Sequence, residues 1–203
     1  MVSQFGNPSG FVGRMVLKGM NNGHARLTDW GLAYVSESKP ASILDIGCGG
    51  GMLIGKIGKL FPEAKIQGMD ISDESVKATR KNNADLVAAS RLKVVVGSAD
   101  ALPFEKETFN LITAVETYFF WPNLEKCFAD AYETLAVGGT FLVVSEAYPH
   151  PDFDKRNKKY ADKYGIRIRE NDDMVRMLKN CGFSVEMHTV PEKNWVAFIA
   201  KKG

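Results

Sequence analysis

The sequence predicts an α/β fold in which a doubly wound, mostly parallel sheet is covered by helices on both faces. Strand-like apolar runs alternate with helical patterns along the chain, and a glycine-rich turn follows the first of these runs. This alternation favours right-handed crossovers between parallel strands. Ligands of such sheets bind beyond the carboxyl ends of the strands, where the strand order reverses.

Seven apolar runs rich in β-branched and aromatic residues are predicted as strands. They cover residues 42–47, 65–71, 92–99, 109–115, 140–146, 183–190 and 195–202. Helical periodicity connects the early strands at 50–60, 73–88 and 123–136, whereas residues 101–108 indicate a short irregular link. The count of runs predicts a seven-stranded sheet.

The composition restricts the class of protein. The chain has 203 residues, 45% of them hydrophobic and 25% charged, as expected for one globular domain. Its net charge of +2 is too small to indicate nucleic-acid binding. No apolar run approaches the roughly 20 residues of a membrane span, and residues 1–10 lack the apolar core of a signal peptide. We therefore expect a cytoplasmic protein with neither nucleic-acid nor membrane partners.

The three cysteines, Cys48, Cys127 and Cys181, lie far apart and have no CxxC spacing. This spacing argues against a zinc site, and the odd count argues against a disulfide framework. We therefore predict no metal site and a reducing compartment. The basic segment 154–169 is interpreted as a solvated helix face.

The stretch ASILDIGCGGGMLIGKIG, residues 41–58, combines a buried strand, a glycine turn and a helix that begins near Met52. Interior glycines cost about 0.5–1 kcal/mol each relative to alanine, so the turn indicates a need for close access to the backbone. A helix N-terminus also offers N–H groups to an anion. The dinucleotide pattern G-x-G-x-x-G fails at Met52, and the Gly-Lys-Ser/Thr of a P-loop is absent.

The acid and glycines of this turn, Asp45-x-Gly47-x-Gly49-x-Gly51, resemble motif I of the class I S-adenosylmethionine-dependent methyltransferases, E/D-x-G-x-G-x-G. The resemblance implies a Rossmann-like sheet of order 3-2-1-4-5-7-6 with its last strand antiparallel. It also implies S-adenosylmethionine as cofactor, with S-adenosylhomocysteine as product, and a methionyl part that lies against the turn. Cys48 within the turn is expected to be a small buried filler.

Two further motifs follow at the next strand ends. Asp70 lies 19 residues after Gly51, where a carboxylate can accept hydrogen bonds from both ribose hydroxyls. Capping of the following helix suits Ser72 or Asp73 better. The segment VVVGSADALPF looks like the family's D-A-x-x-L-P-F, and by this resemblance Asp100 accepts from the adenine amino group while its alanine neighbours flank the ring. The predicted cofactor-binding set is Asp45, Gly47, Cys48, Gly49, Gly51, Asp70, Ile71, Ser98, Ala99, Asp100, Ala101, Val115 and Glu116.

The resemblance covers residues 40–146 and shows two departures. Asn110 stands where the family usually has aspartate, at a position that we expect to serve structure, and Val137 replaces a proline. The chain is interpreted as one methyltransferase domain. Its parts are an N-terminal arm or lid at 1–40, a cofactor-binding core at 41–146, an insertion or cap at 147–169, and a C-terminal helix with two strands at 170–203.

The N-terminal arm is predicted to contain a helix with Leu27, Trp30 and Tyr34 on one face. This segment looks like the arm of small, uncharacterised microbial class I methyltransferases. The resemblance implies a lid that closes over the cofactor.

The catalytic candidates are ionisable residues on the arm and after the fourth and fifth strands: Glu116, His24 and Tyr148. Glu116 could hold the cofactor's ammonium group, act as a base on the acceptor or serve the entry of a helix. His24 could act on substrate or cap the arm helix. The aromatic segment 118–121 is expected to form pocket wall and core rather than a cation cage.

These motifs predict an enzyme that transfers a methyl group from S-adenosylmethionine to an acceptor. A small molecule is the default acceptor, because the segment after strand four contains VETY rather than the Asn/Asp-Pro-Pro-Tyr of nucleic-acid and protein amide methyltransferases. We expect a monomer or homodimer. Two alternatives stay open: a non-catalytic S-adenosylmethionine-binding sensor or partner protein, and a nicotinamide-dependent oxidoreductase. Tight nicotinamide binding without S-adenosylmethionine binding would establish the second.

Overall fold

The computed structural model describes residues 25–203. Seven strands lie within this part of the chain: β1 (Ser42–Ile46), β2 (Lys65–Asp70), β3 (Leu92–Val96), β4 (Phe109–Val115), β5 (Leu135–Ser145), β6 (Ser184–Val190) and β7 (Trp195–Lys201). They form a single sheet in the order β3-β2-β1-β4-β5-β7-β6. The predicted α/β fold class and strand order are confirmed.

Strand direction determines where a site can form. The strands from β1 to β5 pair in parallel, with β1 between β2 and β4. In contrast, β7 lies antiparallel between β5 and β6. The carboxyl ends of the five parallel strands therefore meet at one side of the sheet, which we call the carboxyl edge.

Helices cover both faces of the sheet and create two apolar layers. The helices are α1 (Ala25–Ala33), α2 (Met52–Leu60), α3 (Asp73–Asn82), α4 (Ala84–Ala88), α5 (Leu124–Thr134), α6 (Asp154–Tyr164) and α7 (Asn171–Asn180). Buried residues of α1 to α4, such as Ile54 and Ile57, share one cluster. Buried residues of α5 and α7, such as Phe128 and Met174, belong to the other. None of the helices in the described range has the length and apolarity that a membrane crossing needs.

Helix α1 packs against the sheet as part of the first layer. Leu27 and Leu32 are buried in that layer, and a Cβ placed on Gly31 would lie 2.6 Å from a Val144 methyl group of β5. Trp30 is half-buried against Trp195, with ring centroids 5.7 Å apart. Of the predicted stripe, Leu27 is therefore buried, Trp30 is half-buried and Tyr34 is exposed. The arm or lid is predicted over residues 1–40, and residues 1–24 of it lie outside the described residues.

Two element boundaries differ from the predictions. The helix predicted over 73–88 breaks at Asn83, whose φ of −127° is not helical. Strand β5 begins at Leu135 rather than at residue 140, because its pairing with β4 continues through a register shift. Asn110 serves structure, as expected: its Oδ1 accepts the N–H groups of Ala41 and Ser42, both at 3.1 Å.

A buried network of hydrogen bonds attaches helix α6 to the turn before β7. Asn194 has a left-handed φ of 57°, and its Oδ1 accepts from Arg156 at 2.7 Å and from Asn157 Nδ2 at 3.2 Å. Both asparagine side chains also donate to the Tyr148 carbonyl, and Arg156 donates to the Glu146 carbonyl at 2.7 Å. These bonds hold α6 close to the end of β5.

Candidate functional site

The glycine turn follows β1 directly at the carboxyl edge. Gly47, Gly49 and Gly51 all have positive φ, between 52° and 79°, a region that favours glycine. The N–H groups of Gly47 and Cys48 both donate to the Met69 carbonyl of β2, at 2.7 and 3.0 Å. These bonds fold the turn towards the end of β2, and α2 begins at residue 52, as predicted.

Asp70 ends β2 beside this turn. Its Oδ2 accepts the Gly49 N–H and its Oδ1 accepts the Ser72 N–H, both at 2.9 Å. Burial raises the pKa of this carboxyl, although the Ser72 and Gly49 bonds act in the opposite direction. Ser72 caps α3 by accepting from the Ser75 N–H at 3.3 Å, which confirms the predicted cap. Each carboxylate oxygen has two lone pairs, so Asp70 retains capacity for further donors.

Asp45 lies fully buried at the end of β1. Its Oδ1 accepts from the Thr113 hydroxyl at 2.8 Å, whereas its Oδ2 has no hydrogen-bond partner among the described residues. Burial raises the pKa of Asp45 to about 7, and the charge of Asp70 contributes in the same direction. Cys48 is also buried, and burial raises the pKa of its thiol well above the usual value. This Cys48 is a packed filler, because it has neither a depressed pKa nor exposure.

The third predicted motif lies after β3. The Ser98 hydroxyl donates to Asp100 Oδ1, and the Lys126 ammonium donates to the Asp100 carbonyl. Ala99 is buried, and Ala101 is exposed. Asp100 thus joins Asp70 as a second carboxylate near the carboxyl edge.

Ile71 is the residue after Asp70, and 53% of its surface is exposed. An exposed isoleucine beside a buried carboxylate offers an apolar contact to a ligand. If Asp70 binds the ribose, we expect the face of the adenine ring to pack against Ile71.

Glu116 connects the ends of β4 and β5. It is a non-glycine residue with a positive φ of 57°, a backbone conformation that is strained for a bulky side chain. Its Oε1 accepts the Glu146 N–H at 2.6 Å, and its own N–H donates to the Val144 carbonyl at 2.9 Å. The preceding Val115 is half-buried. Glu116 follows β4 directly and therefore lies at the carboxyl edge, the same edge as the turn and Asp70.

The other catalytic candidates differ in position. Tyr148 is buried, and its ring meets His150 edge to face at a centroid distance of 6.0 Å. His24 lies outside the described residues. In the aromatic segment, Tyr118 and Trp121 are buried in the core, which agrees with the expected wall and core role. Burial also raises the pKa of Tyr118.

Three side chains that sequence reasoning missed hold the carbonyls of the glycine turn. Thr79 Oγ1 donates to the Gly49 carbonyl at 2.8 Å, Asn82 Nδ2 to the Gly50 carbonyl at 2.9 Å, and Asn83 Nδ2 to the Gly51 carbonyl at 3.0 Å. Their i, i+3, i+4 spacing at the end of a helix is the signal that could have found them. Among residues 25–203, no group of three or more metal-ligating side chains forms.

Residues 43–139 match the family described as methyltransferase domain. This range is a methyltransferase domain, and the strand order of the sheet is that of the class I methyltransferase fold. The matched range contains the turn, Asp70, Asp100 and Glu116, so every described part of the carboxyl edge before β5 lies within it.

Curated methyltransferases resemble the chain at low identity. The sterol 4-C-methyltransferase of Caenorhabditis elegans is 27% identical over 153 residues, which are 75% of this chain and 44% of that protein. The ubiquinone/menaquinone biosynthesis C-methyltransferase of Methylobacterium nodulans is 30% identical over 134 residues, 66% of this chain and 52% of that protein. The chain spans less than half the length of the sterol methyltransferases it matches.

Solved methyltransferase structures share the fold. The protein bound to the Haloferax volcanii Trm112 methyltransferase activator superimposes with a TM-score of 0.80 and 16% identity, covering 91% of this chain and 92% of that one. Phosphoethanolamine N-methyltransferase 2 of Haemonchus contortus, in complex with S-adenosyl-L-methionine, gives a TM-score of 0.74 and 16% identity, covering 86% of this chain and 52% of that one.

Proposed function

We propose that the chain transfers a methyl group from S-adenosylmethionine to a small-molecule acceptor. The observation that carries this proposal is the junction of the glycine turn and Asp70. The buried carboxylate accepts the Gly49 N–H at 2.9 Å and retains lone pairs for a ligand's hydroxyl groups. A glycine turn and an acid at adjacent strand ends suit a ligand that has both a methionyl chain and a ribose.

The described residues fit this cofactor at three points. The positive-φ glycines allow the methionyl part to approach the backbone closely. Asp70 accepts from the ribose hydroxyls, and Ile71 provides an apolar contact for adenine, whose amino group donates to Asp100. The remaining residues of the predicted set, Asp45, Cys48, Ser98, Ala99, Ala101 and Val115, shape the surfaces around these contacts.

The chemistry required of the chain is positioning. S-adenosylmethionine supplies a methyl group that is already activated by its sulfonium. The chain must therefore hold the acceptor atom about 3 Å away and in line, and such positioning can supply about 7–11 kcal/mol. We propose that Glu116, at the end of β4, binds the methionyl ammonium, and that Tyr148 and His24 are further candidates for acting on the acceptor.

The comparisons support a small acceptor. Several relatives are named for sterols, for ajmaline or for ubiquinone/menaquinone biosynthesis, whereas one is named for malonyl-[acyl-carrier protein]. We propose a small organic acceptor, a cytoplasmic location, and a monomer or homodimer that does not act on nucleic acid. The mild net charge of +2 supports the last point.

Replacing Asp70 with alanine should weaken S-adenosylmethionine binding by about 1.5–3 kcal/mol, because hydrogen bonds to a charged group are lost. Isothermal titration calorimetry measures the effect, and circular dichroism checks the fold. Asp73→Ala is the matched control, since Asp73 is an exposed acid that pairs with Lys77 on α3. Unchanged affinity in a folded Asp70→Ala protein would contradict the ribose assignment, and wild-type binding of nicotinamide dinucleotide alone would overturn the function.

Replacing Glu116 with glutamine keeps an oxygen for the Glu146 N–H and removes the charge. If Glu116 binds the methionyl ammonium, S-adenosylhomocysteine affinity should fall about tenfold or more. The exposed Glu125→Gln serves as control for a lost surface charge. Intact affinity combined with a turnover loss of about 10²-fold would instead identify Glu116 as a base. A variant unchanged in both would leave Glu116 with a structural role.

A further inference from the structure

We infer that Thr79, Asn82 and Asn83 are positioning residues that fix the glycine turn in the conformation that receives the cofactor. The inference rests on the proposed function, because cofactor affinity is one of its readouts. Three consecutive carbonyls, those of residues 49–51, each accept from one of these side chains at 2.8–3.0 Å. A one-to-one pairing of this kind controls the orientation of three successive peptide groups.

The carbonyl contacts determine where the N–H groups of the turn point. In a planar trans peptide, the C=O and the N–H of one unit point in opposite directions. Because the Gly49 carbonyl points to Thr79, the Gly50 N–H points away from α3. The same holds for the next two units, but the Gly51 N–H donates to the Cys48 carbonyl at 2.8 Å. The turn therefore presents the N–H groups of Gly50 and Met52 on the side opposite α3.

Helix α3, which binds the carbonyls of the turn, is also connected to Asp70, the proposed ligand of the ribose. Asp70 accepts the N–H of Gly49 and that of Ser72, and Ser72 caps α3. A closed path therefore runs from the turn through Asp70 and α3 back to the turn. This path fixes the distance between the turn and Asp70, which are the two groups that the cofactor must contact at once.

Preorganisation explains why such a path affects affinity. Glycine loses more conformational freedom on ordering than any other residue, so a free glycine turn would be costly to fix when a ligand binds. Side chains that order the turn in advance reduce this cost. The Cα of Thr79 lies only 3.0 Å from the position that a Cβ on Gly51 would occupy. The backbone of α3 therefore packs closely against the turn and leaves Gly51 little room to move.

Asn82 provides the cleanest test of the three side chains. Asn82 is exposed, whereas Thr79 and Asn83 are buried, so its truncation leaves no buried cavity. Asn82→Ala should weaken S-adenosylhomocysteine binding about three- to tenfold, the effect of one lost hydrogen bond. Asn82→Gln retains the amide donor and should recover part of the affinity. The exposed neighbour Lys81→Ala is the matched control.

The experiment combines calorimetry with hydrogen exchange of the ligand-free protein. We expect Asn82→Ala, but not Lys81→Ala, to increase amide exchange over residues 49–52. The melting temperature should fall by no more than one lost hydrogen bond gives, about 2–4 °C per kcal/mol. Native exchange and native affinity in Asn82→Ala would overturn the inference. If the wild-type protein bound no S-adenosylhomocysteine, the proposed function would fail, and the exchange data would decide whether Asn82 holds the turn.

Discussion

Replacing Gly47 with alanine should lower the free energy of unfolding by about 2–5 kcal/mol. The new methyl group would overlap the Thr117 hydroxyl, at a φ of 77° that an L side chain rarely adopts. The left-handed conformation costs roughly 1–2 kcal/mol and overpacking typically about 1–3 kcal/mol more. Urea denaturation monitored by circular dichroism measures the loss.

Gly138→Ala separates the two costs. Gly138 has nearly the same φ, 76°, but no atom lies within 4 Å of the position that its Cβ would occupy. We therefore expect only the conformational cost there. Combining Gly47→Ala with Thr117→Ala should recover only part of the steric cost, because the Cβ of residue 117 would stay 2.8 Å from the new methyl group. Equal destabilisation by Gly47→Ala and Gly138→Ala would show that the contact with Thr117 relaxes without cost.

Replacing Asp45 with asparagine should stabilise the protein at pH 8, by an amount that shrinks as the pH falls towards 4. Burial raises the pKa of Asp45 from 3.8 to about 7, so the native state holds a proton that the unfolded chain has released between these values. The stability of the wild-type protein therefore falls as pH rises through this window. At 1.36 kcal/mol per unit, the wild-type protein loses up to about 4 kcal/mol above pH 7.

Urea denaturation at several pH values between 4 and 8 measures this effect. Asp70 and the Cys48 thiol lie near Asp45 and interact with its charge, so the difference between wild type and Asp45→Asn isolates the Asp45 contribution better than the wild-type curve alone. The exposed Asp85→Asn is the control for the loss of a surface carboxylate. A stability difference that does not vary with pH would refute a buried carboxyl that titrates near neutrality.

The sheet could be predicted because its strands are apolar runs separated by helical periods, and both signals are local. Boundaries that depend on distant contacts could not. Asn83 ends α3 because its side chain donates to the Gly51 carbonyl, 32 residues away in sequence. Strand β5 begins early because Leu135 pairs with Phe109 before the register shifts. Neither partner is visible in the local pattern.

The parts of the candidate site that lie within a single motif at one strand end could be predicted from the sequence. The positions of Gly47, Asp70 and Asp100 follow from counting along each strand. Contacts between motifs were not predictable: Asp70 binds the Gly49 N–H only because β1 and β2 are neighbours. The strained φ of Glu116 likewise has no signal in sequence, since glutamate gives no warning of a left-handed backbone.

The position of β7 imposes an order on assembly. Residues 140–145 of β5 gain their second hydrogen-bonded neighbour only from residues 196–201, more than fifty positions later in the chain. Until β7 pairs with β5, one edge of β5 is open, and apolar residues that the native fold buries completely, such as Val143, lie on that strand. Open apolar edges recruit strands from other molecules. We therefore expect slow insertion of β7 to favour aggregation during refolding, and chaperones to act chiefly before that step.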